Sequence, residues 1–412
     1  MTLISLAGRG ADAPDSPCSW LRLSIALAFG TLGGAGMWSV VVVLPAVQAE
    51  FGVLRAEAAL PYTLTMVGFA FGGVLMGRLS DRFGILVPAL VGAVTLSLGY
   101  VLSTYAATLW QFALIYGLLV GIGTSVTFGP LIADVSHFFA RRRGIAVAVC
   151  ASGNYFAGAL WPPVVQHFTA AAGWRATHIC IGVFCIVTLI PIALLMRRRP
   201  AHGEETPAAA AARLSARDLG LTPNQLQALI CLAGVACCVA MSMPQVHIVA
   251  YCGDLGYGVA RGAEMLSLML AFGIVSRVAS GFVADRLGGV ATLLIGSTLQ
   301  GLALFLYLWF DGLVSLYVIS ALFGLFQGGI VPSYAIIVRE YFPPREAGTR
   351  VGLAIMATLF GMAFGGWMSG YIFDLTGSYR AAFLHGIAWN LLNVTIAAWL
   401  LMRPKGRVVG AA

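Results

Sequence analysis

Charged residues are scarce in this sequence. Aspartate, glutamate, lysine and arginine make up 10% of the 412 residues, whereas hydrophobic residues make up 59%. Soluble domains carry about 25% charged residues, so this composition excludes a soluble globular protein. The apolar runs are about 20 residues long, the length of a helix that crosses a bilayer, and they lack the alternation of barrel strands. We therefore predict an all-α membrane protein.

The sequence also has very little lysine and no clusters of metal-ligating residues. Lys405 is the one lysine among 24 basic residues, and the net charge is +8. The basic residues lie in short loops between apolar runs, where they orient a membrane protein rather than bind nucleic acid. The eight cysteines form no CxxC pair, and the apolar runs contain neither an HExxH motif nor a nucleophile beside a base. We therefore expect no nucleic-acid partner, no metal or other cofactor, and no enzymatic activity.

Twelve apolar runs, numbered here as spans 1 to 12, fall into two groups of six. Spans 1 to 6 are predicted at residues 22–47, 59–77, 85–106, 110–133, 145–168 and 176–196, and spans 7 to 12 at 225–251, 264–284, 290–310, 314–337, 350–372 and 381–402. The segment between them has too few large apolar residues for a core, and we expect a short surface helix over 208–218. The predicted regions are an N-terminal tail (1–21), a first bundle (22–196), a linker (197–223), a second bundle (224–402) and a C-terminal tail (403–412).

The loops predict the orientation in the membrane. With the N-terminus in the cytoplasm, 19 of the 24 basic residues fall in inward-facing segments and four in outward-facing ones, and Arg277 lies within a span. This asymmetry follows the positive-inside rule. We therefore expect a multi-pass protein of the cytoplasmic (inner) membrane, with both termini and the linker in the cytoplasm.

An internal repeat relates the two groups of spans. The pattern GxxxDRxG follows span 2 at residues 77–84 and recurs after span 8 at residues 281–288. Its defined positions are Gly77, Asp81, Arg82 and Gly84 in the first copy and Gly281, Asp285, Arg286 and Gly288 in the second. A second matching pair, residues 168–176 and 373–381, lies after spans 5 and 11. Parallel six-span repeats place a binding site between the two bundles at mid-depth.

The GxxxDRxG pattern is interpreted as a conformational latch rather than a substrate site. We expect its first glycine to pack against a neighbouring helix and its last glycine to turn the chain out of the helix. The aspartate can accept hydrogen bonds from helix N-terminal amides, or it can pair with an arginine of residues 141–143 or with Arg350.

Twelve spans, a central linker and two GxxxDRxG loops resemble the major facilitator superfamily over essentially the whole chain. The resemblance implies two pseudo-symmetric six-helix bundles and solute transport by alternating access. The first GxxxDRxG copy departs from the usual family pattern, because Ile85 and Leu86 follow Gly84 where two basic residues are usual.

Within that superfamily, residues 59–62, 138–146 and 273–277 resemble the monocarboxylate and oxalate/formate transporter branch. The resemblance implies that Arg277, in the middle of span 8, holds the substrate carboxylate. Many eukaryotic members carry an aspartate one turn earlier, where this chain has Gly273. Some members carry a lysine in span 1 or span 11, and residues 30–48 and 349–371 contain none. A monocarboxylate is therefore favoured over a dicarboxylate that needs two cations.

Arg277 is also unusual on physical grounds. It lies eight residues before Asp285, which marks a membrane surface, and thus roughly 12 Å deep. A guanidinium at the centre of a span costs at least about 2.5 kcal/mol unless a partner compensates it, and such residues are usually functional. Its planar fork suits bidentate binding of a carboxylate. The alternative is a structural arginine that binds carbonyl groups or a helix C-terminus inside the bundle.

Other polar residues in the spans are candidates for binding or coupling. His247, Tyr251 and Asp254 share one face of span 7, so Asp254 and His247 could pass a proton toward Arg277. Alternatively, Asp254 only caps the span. Tyr116, Asn154, Tyr62 and Tyr334 are candidates for hydrogen bonds to the substrate, with helix-to-helix bonding as the alternative.

The sequence thus favours a monomeric secondary transporter for a small carboxylate, coupled to protons. A drug or metabolite efflux antiporter of the same fold is the alternative, although such exporters often need a carboxylate deep in a span and none is present here. A membrane-embedded enzyme would need a nucleophile beside a base or clustered metal ligands inside the spans, and the sequence has neither. A non-transporting receptor would leave Arg277 unexplained.

Overall fold

The structure is a computed structural model that describes residues 15–139, 141–197, 221–342 and 344–403. Within these ranges the chain forms helices and no strands. Most of the predicted linker, including the predicted helix at 208–218, lies outside the described residues. So do residues 1–14 of the N-terminal tail and 404–412 of the C-terminal tail.

The first bundle contains spans 1 to 6. Its helices are Pro17–Gly33 and Ala35–Phe51 (span 1), Arg55–Ala58 and Leu60–Phe83 (span 2), Leu86–Ser103 (span 3), Leu109–Ile115, a π-helical turn Tyr116–Val120, Gly121–Ser125 and Gly129–Ser136 (span 4), and Arg143–Ala151 followed by Gly153–Leu195 (spans 5 and 6). Gly173 interrupts the last helix with φ 79° and ψ 163°, a conformation that suits glycine. Because 52 uninterrupted helical residues would measure about 78 Å, this turn divides Gly144–Leu195 into two spans.

The second bundle contains spans 7 to 12. Its helices are Pro223–Asp254 (span 7), Val259–Leu287 (span 8), Gly289–Trp309 (span 9), Leu313–Gln327 and Ile330–Tyr341 (span 10), Pro344–Thr376 (span 11) and Tyr379–Met402 (span 12). Together with the first bundle, the described residues contain all twelve predicted spans. Several spans extend beyond the predicted boundaries, because their ends carry polar residues that still continue the helix.

The two bundles meet along two equivalent seams. Span 2 packs against span 11, and span 5 packs against span 8. A shift of six spans exchanges span 2 with span 8 and span 5 with span 11, so it converts one seam into the other. This is the packing expected of two parallel repeats related by an axis along the membrane normal.

Four spans are broken among the described residues where the sequence predicts continuous helices, namely spans 1, 4, 5 and 10. The breaks in spans 5 and 10 bear on the site. Span 5 breaks at Ser152, between the helices that end at Ala151 and begin at Gly153. Span 10 breaks at Gly328 and Gly329. A helix end leaves carbonyl groups without intrahelical partners, so both breaks expose backbone acceptors near the middle of the membrane.

Candidate functional site

A cavity of about 90 Å³ lies between the two bundles at mid-depth. Spans 1, 2, 4, 5, 7, 8, 10 and 11 contribute its lining, so both bundles form the walls. The lining residues are Met37, Trp38, Met66, Phe69, Phe128, Asn154, Tyr155, Cys238, Met241, Gln245, Arg277, Val331, Ile355, Thr358, Leu359 and Met362. Of these, Arg277 is the one charged side chain.

Arg277 is buried and joins the two bundles through backbone carbonyls. Its Nη1 donates to the carbonyl of Ala151 in span 5 at 2.8 Å, and its Nε donates to the carbonyl of Gly328 in span 10 at 3.3 Å. Both acceptors lie at the helix breaks described above. The two breaks therefore supply the carbonyl oxygens that solvate this guanidinium inside the membrane.

The helix ends also favour the charge on Arg277. The helices Arg143–Ala151 and Leu313–Gln327 end beside the guanidinium, and a helix C-terminus carries a partial negative charge. Among residues 15–139, 141–197, 221–342 and 344–403, no carboxylate forms an ion pair with Arg277. Partial charges thus hold the cation in place without neutralising it, which leaves it able to attract an anion.

Tyr155 is a site residue that the sequence analysis missed. Its ring lies under Arg277, with 4.3 Å between the guanidinium carbon and the ring centroid. A Cβ atom at Gly273 would approach this ring to 2.8 Å. The tyrosine ring thus fills the space beside Gly273, which accounts for the absence of a side chain at that position. Aromatic residues are common in apolar runs, so the sequence carries no signal that singles out Tyr155.

Asn154 lines the cavity, as expected of a candidate binding residue. Its side-chain and backbone carbonyl oxygens both accept from Trp38 Nε1 at 3.1 Å. On the other side of the cavity, Gln245 donates to the Oε1 of Gln327 at 2.7 Å. Neighbouring spans therefore hold these amides in place at the cavity wall.

The other tyrosine candidates do not line the cavity. Tyr116 lies in the core of the first bundle, where its hydroxyl is 2.7 Å from Ser39 Oγ. The hydroxyl of Tyr334 donates to Asn393 at 3.1 Å inside the second bundle. Both hydroxyls therefore form hydrogen bonds between helices, the alternative to hydrogen bonds with the substrate. Tyr62 is buried one turn from Met66, and its hydroxyl has no hydrogen-bond partner among the described residues.

The proposed proton path from Asp254 through His247 to Arg277 is not assembled in this structure. His247 is buried and its Nε2 donates to the carbonyl of Gly366 at 2.8 Å. Its side chain is not among those that line the cavity. Asp254 lies at the end of span 7, and it pairs with Arg55 of the first bundle at 3.1 Å.

Arg55 is the centre of a second cluster that joins the bundles. Its guanidinium also donates to the hydroxyl of Tyr379 and lies 5.0 Å from the ring centroid of Phe373. Asp374 accepts from the backbone N–H groups of Arg55 and Ala56 at 2.8 and 2.7 Å. We call this cluster of Arg55, Asp254, Asp374 and Tyr379 the clasp. The clasp closes the protein at one side of the membrane. The opposite side carries the arginine-rich loops, and we call it the basic side.

The GxxxDRxG segments show one expected feature and lack two others. Gly84 and Gly288 both end their helices with positive φ, 76° and 84°, as expected of the turn glycines. Asp81 and Asp285 are exposed and form no ion pair with a described residue. Arg350 pairs instead with Glu346 at 2.6 Å, one turn away on its own helix.

The expected close packing of the first latch glycines is also absent in this conformation. A Cβ atom at Gly77 or Gly281 would meet no atom of the described residues within 4 Å. The first glycine of each segment therefore packs against no neighbouring helix among the described residues, so the contact expected of a latch is not formed here.

Glycines along the seams reveal which side of the molecule is closed. Toward the clasp, a Cβ at Gly158 would lie 2.2 Å from Leu270, and one at Gly370 would lie 3.0 Å from Ala56, so the bundles touch. Toward the basic side, the seam helices carry glycines with open space around them. These are Gly77, Gly144, Gly281 and Gly352. The cavity is thus closed toward the clasp and faces separated helices on the basic side.

Comparisons with known proteins agree with this architecture. A sequence profile of the Major Facilitator Superfamily matches residues 26–318 and 265–411. The chain is 28% identical to monocarboxylate transporter 13 of Bos taurus over 91% of this chain and 87% of that protein. It is 27% identical to monocarboxylate transporter 11 of Homo sapiens over 91% of this chain and 81% of that protein.

Solved structures share the fold at low sequence identity. A bacterial homologue of the human lysosomal transporter Spinster, in an inward-facing and occupied conformation, superposes with a TM-score of 0.69 at 15% identity, covering 94% of this chain and 97% of that one. The nucleoside transporter NupG gives a TM-score of 0.72 at 13% identity, covering 93% and 99%. The predicted fold of two pseudo-symmetric six-helix bundles is confirmed.

Proposed function

Since the chain belongs to the major facilitator superfamily, we propose that it moves a small organic monocarboxylate across the cytoplasmic membrane by alternating access, together with a proton. The chain is a multi-pass membrane transporter and not an enzyme, because its relatives are transporters and its fold is that of transporters. The monocarboxylate is supported by Arg277, an unpaired buried cation in a cavity between the bundles.

The proposed binding step exchanges a backbone acceptor for the substrate. Arg277 donates to the Ala151 carbonyl across the bundle interface. A carboxylate is a stronger acceptor than a neutral carbonyl and can receive two N–H groups of the guanidinium at once. Substrate binding would therefore replace the link to Ala151 and leave a neutral pair within the cavity. A neutral cavity lowers the cost of closing the basic side over the site.

We infer that the coupled proton acts at Asp254 within the clasp. The Asp254 side chain is 40% exposed, so water can deliver a proton to it, whereas its partner Arg55 is 8% exposed. Protonation would remove the negative charge that faces Arg55 and would weaken the link between the bundles on that side. The other charged group in contact with Arg55 is Asp374, which binds its backbone and would still hold the start of span 2.

The proposed function is tested by uptake into proteoliposomes. Radiolabelled lactate, pyruvate, formate and oxalate are supplied separately, with and without an inward proton gradient. We expect uptake of monocarboxylates that the gradient accelerates, and little uptake of the dicarboxylate oxalate. Uptake of no monocarboxylate, whether one of these acids or an acid with an apolar side chain, or a preference for oxalate, would contradict the proposal.

A further inference from the structure

We propose that the preferred substrate is a monocarboxylate with a compact apolar side chain, such as a branched aliphatic or single-ring acid, rather than a hydroxylated acid such as lactate. This inference rests on the proposed function and specifies the part of the substrate beyond its carboxylate. It follows from the walls of the cavity that surrounds Arg277.

Apolar side chains dominate these walls. Nine of the sixteen lining residues are aliphatic, methionine or phenylalanine side chains from both bundles. They are Met37, Met66, Phe69, Phe128, Met241, Val331, Ile355, Leu359 and Met362. A ligand that covers such a surface with CH₂ and CH₃ groups gains the free energy of removing both surfaces from water. A small hydroxylated acid would leave most of this surface facing water.

Several polar groups of the cavity are already engaged by neighbouring groups. Asn154 accepts from Trp38, and Gln245 donates to Gln327, so neither amide is wholly available to a hydroxyl group of a ligand. Arg277 is the one cation in the lining, and no carboxylate accompanies it. The site therefore offers strong recognition to one carboxylate and weak recognition to a second polar group.

The size and flexibility of the cavity limit the substrate to a compact side chain. The cavity measures about 90 Å³, smaller than the engineered apolar cavity of about 150 Å³ that holds benzene in another protein. Four methionines line it, and their unbranched side chains can move to accommodate different shapes. Acids with several rings would exceed this space, whereas a branched chain or one ring fits after modest rearrangement.

The sharpest test compares two acids of the same size and charge. Lactate and 2-methylpropanoate differ by a hydroxyl in place of a methyl group. Competition against a labelled monocarboxylate that the proteoliposomes take up gives the concentration of each acid that halves uptake. Competition is preferable to direct uptake here, because longer acids cross lipid in their protonated form. We expect 2-methylpropanoate to be at least about fivefold more potent than lactate.

A series of unbranched acids extends the test. From acetate to pentanoate, each added CH₂ should lower the half-inhibiting concentration about three- to fourfold, as expected for burial of one CH₂ group. The increments should end when the side chain exceeds the cavity. Equal potency along the series, or lactate as potent as 2-methylpropanoate, would overturn the inference.

A variant pair ties the preference to these walls. Met362→Gln places an amide in the apolar lining, whereas Met402→Gln changes an exposed methionine at the end of span 12. We expect Met362→Gln to reduce the potency ratio of 2-methylpropanoate to lactate at least about threefold, and Met402→Gln to leave the ratio unchanged. If Met362→Gln does not fold, Met241→Gln tests the same wall. An unchanged ratio in a folded variant of either lining residue would contradict the inference.

Failure of this inference is distinguishable from failure of the proposed function. If lactate competes as well as 2-methylpropanoate and uptake still needs Arg277, the protein transports monocarboxylates but the apolar preference is wrong. If no monocarboxylate is taken up or competes with a transported solute, the proposed function itself is wrong.

Discussion

Arg277 lies buried among groups that stabilise its charge without cancelling it. Two carbonyls and the face of Tyr155 surround the guanidinium, and no described carboxylate pairs with it. Carbonyl dipoles and an aromatic ring attract a cation more weakly than an ion pair does. A substrate anion can therefore displace these groups. A buried aspartate paired with the arginine would be harder to displace.

Arg277→Lys tests whether the planar fork matters beyond its charge. Lysine keeps the positive charge but binds a carboxylate as a point charge, and its ammonium group cannot reach both carbonyls in the same geometry. We expect the KM for the transported acid to rise at least about tenfold, measured by initial rates in proteoliposomes. A lysine variant with unaltered KM would show that charge alone suffices.

Gly273 provides a prediction about the packing of Tyr155. In Gly273→Ala the new Cβ would approach the Tyr155 ring to 2.8 Å, so we expect a loss of about 1–3 kcal/mol in stability and weaker substrate binding as the ring moves from Arg277. Gly281→Ala, eight residues later on the same helix, is the matched control, because its Cβ meets no described atom within 4 Å.

Thermal unfolding of both variants in detergent checks this prediction. A lower Tm for Gly273→Ala with an unchanged or slightly higher Tm for Gly281→Ala is expected. Equal effects of the two substitutions would mean that Tyr155 does not need the space at Gly273.

The sequence predicts the binding residues only in part. Arg277 stands out because a charge within a span is costly, and Asn154 lines the cavity as predicted. Tyr116 and Tyr334 are candidates because they are polar residues inside spans, but a hydroxyl in a span can hydrogen-bond to a neighbouring helix as well as to a ligand. The direction in which such a side chain points depends on the rotation of the helix, which the apolar pattern does not fix.

At the scale of helices, two breaks and one clasp determine how the bundles meet. The break in span 5 exposes the Ala151 carbonyl to Arg277, and the break in span 10 exposes Gly328. Continuous apolar runs predict neither break, because the residues on both sides are good membrane-helix formers. Once the helices are placed, the Gly328-Gly329 pair accounts for the second break, since glycine weakens a helix.

From the contacts of the clasp we predict different effects for substitutions of Asp254 and Arg55. Asp254→Asn removes the group that would be protonated, so we expect loss of proton-driven accumulation while exchange of substrate for substrate continues. Arg55→Gln removes the cation from both Asp254 and Tyr379, so we expect the side opposite the basic side to open more readily.

Counterflow and gradient-driven uptake in proteoliposomes distinguish these effects. Glu57→Gln is a suitable control, because Glu57 lies on the same short helix and accepts from the backbone of Leu54 rather than from the second bundle. Proton-driven accumulation that persists in Asp254→Asn would remove Asp254 from proton coupling.

At the scale of the molecule, the chain is captured with one side closed and the other open. The seam helices touch near the clasp and separate toward the basic side, where glycines face open space. Glycine faces permit close approach of helices, so the same positions can pack together when the basic side closes. The open space at Gly77 and Gly281 thus fits a latch that forms only in the other conformation.

Cysteine labelling tests this asymmetry. With the exposed Cys18 and Cys180 replaced by serine, Gly352→Cys should react with a membrane-impermeant thiol reagent added from the basic side only. Adding Arg55→Gln should lower its reactivity, because the open population shifts toward the clasp side. Reaction from the other side, or no response to Arg55→Gln, would contradict the assigned conformation.

The fold could be predicted from the sequence, but the conformation could not. Twelve apolar runs and a repeated GxxxDRxG pattern define two similar bundles, since length and hydropathy suffice to place helices in a membrane. The two ends of the seams carry similar small residues, so the sequence alone does not indicate which end is packed. That difference depends on a few contacts, such as those of Arg55, between residues far apart in the chain.

Arg277 is the residue that we propose to bind the carboxylate of the transported acid. The most direct test of this role is substrate exchange in proteoliposomes that contain Arg277→Ala, with Arg380→Ala, an exposed arginine at the start of span 12, as the control. We expect Arg277→Ala to insert normally but to exchange no labelled monocarboxylate, while Arg380→Ala exchanges it at the wild-type rate. Undiminished exchange in the folded Arg277→Ala variant would show that Arg277 does not bind the carboxylate.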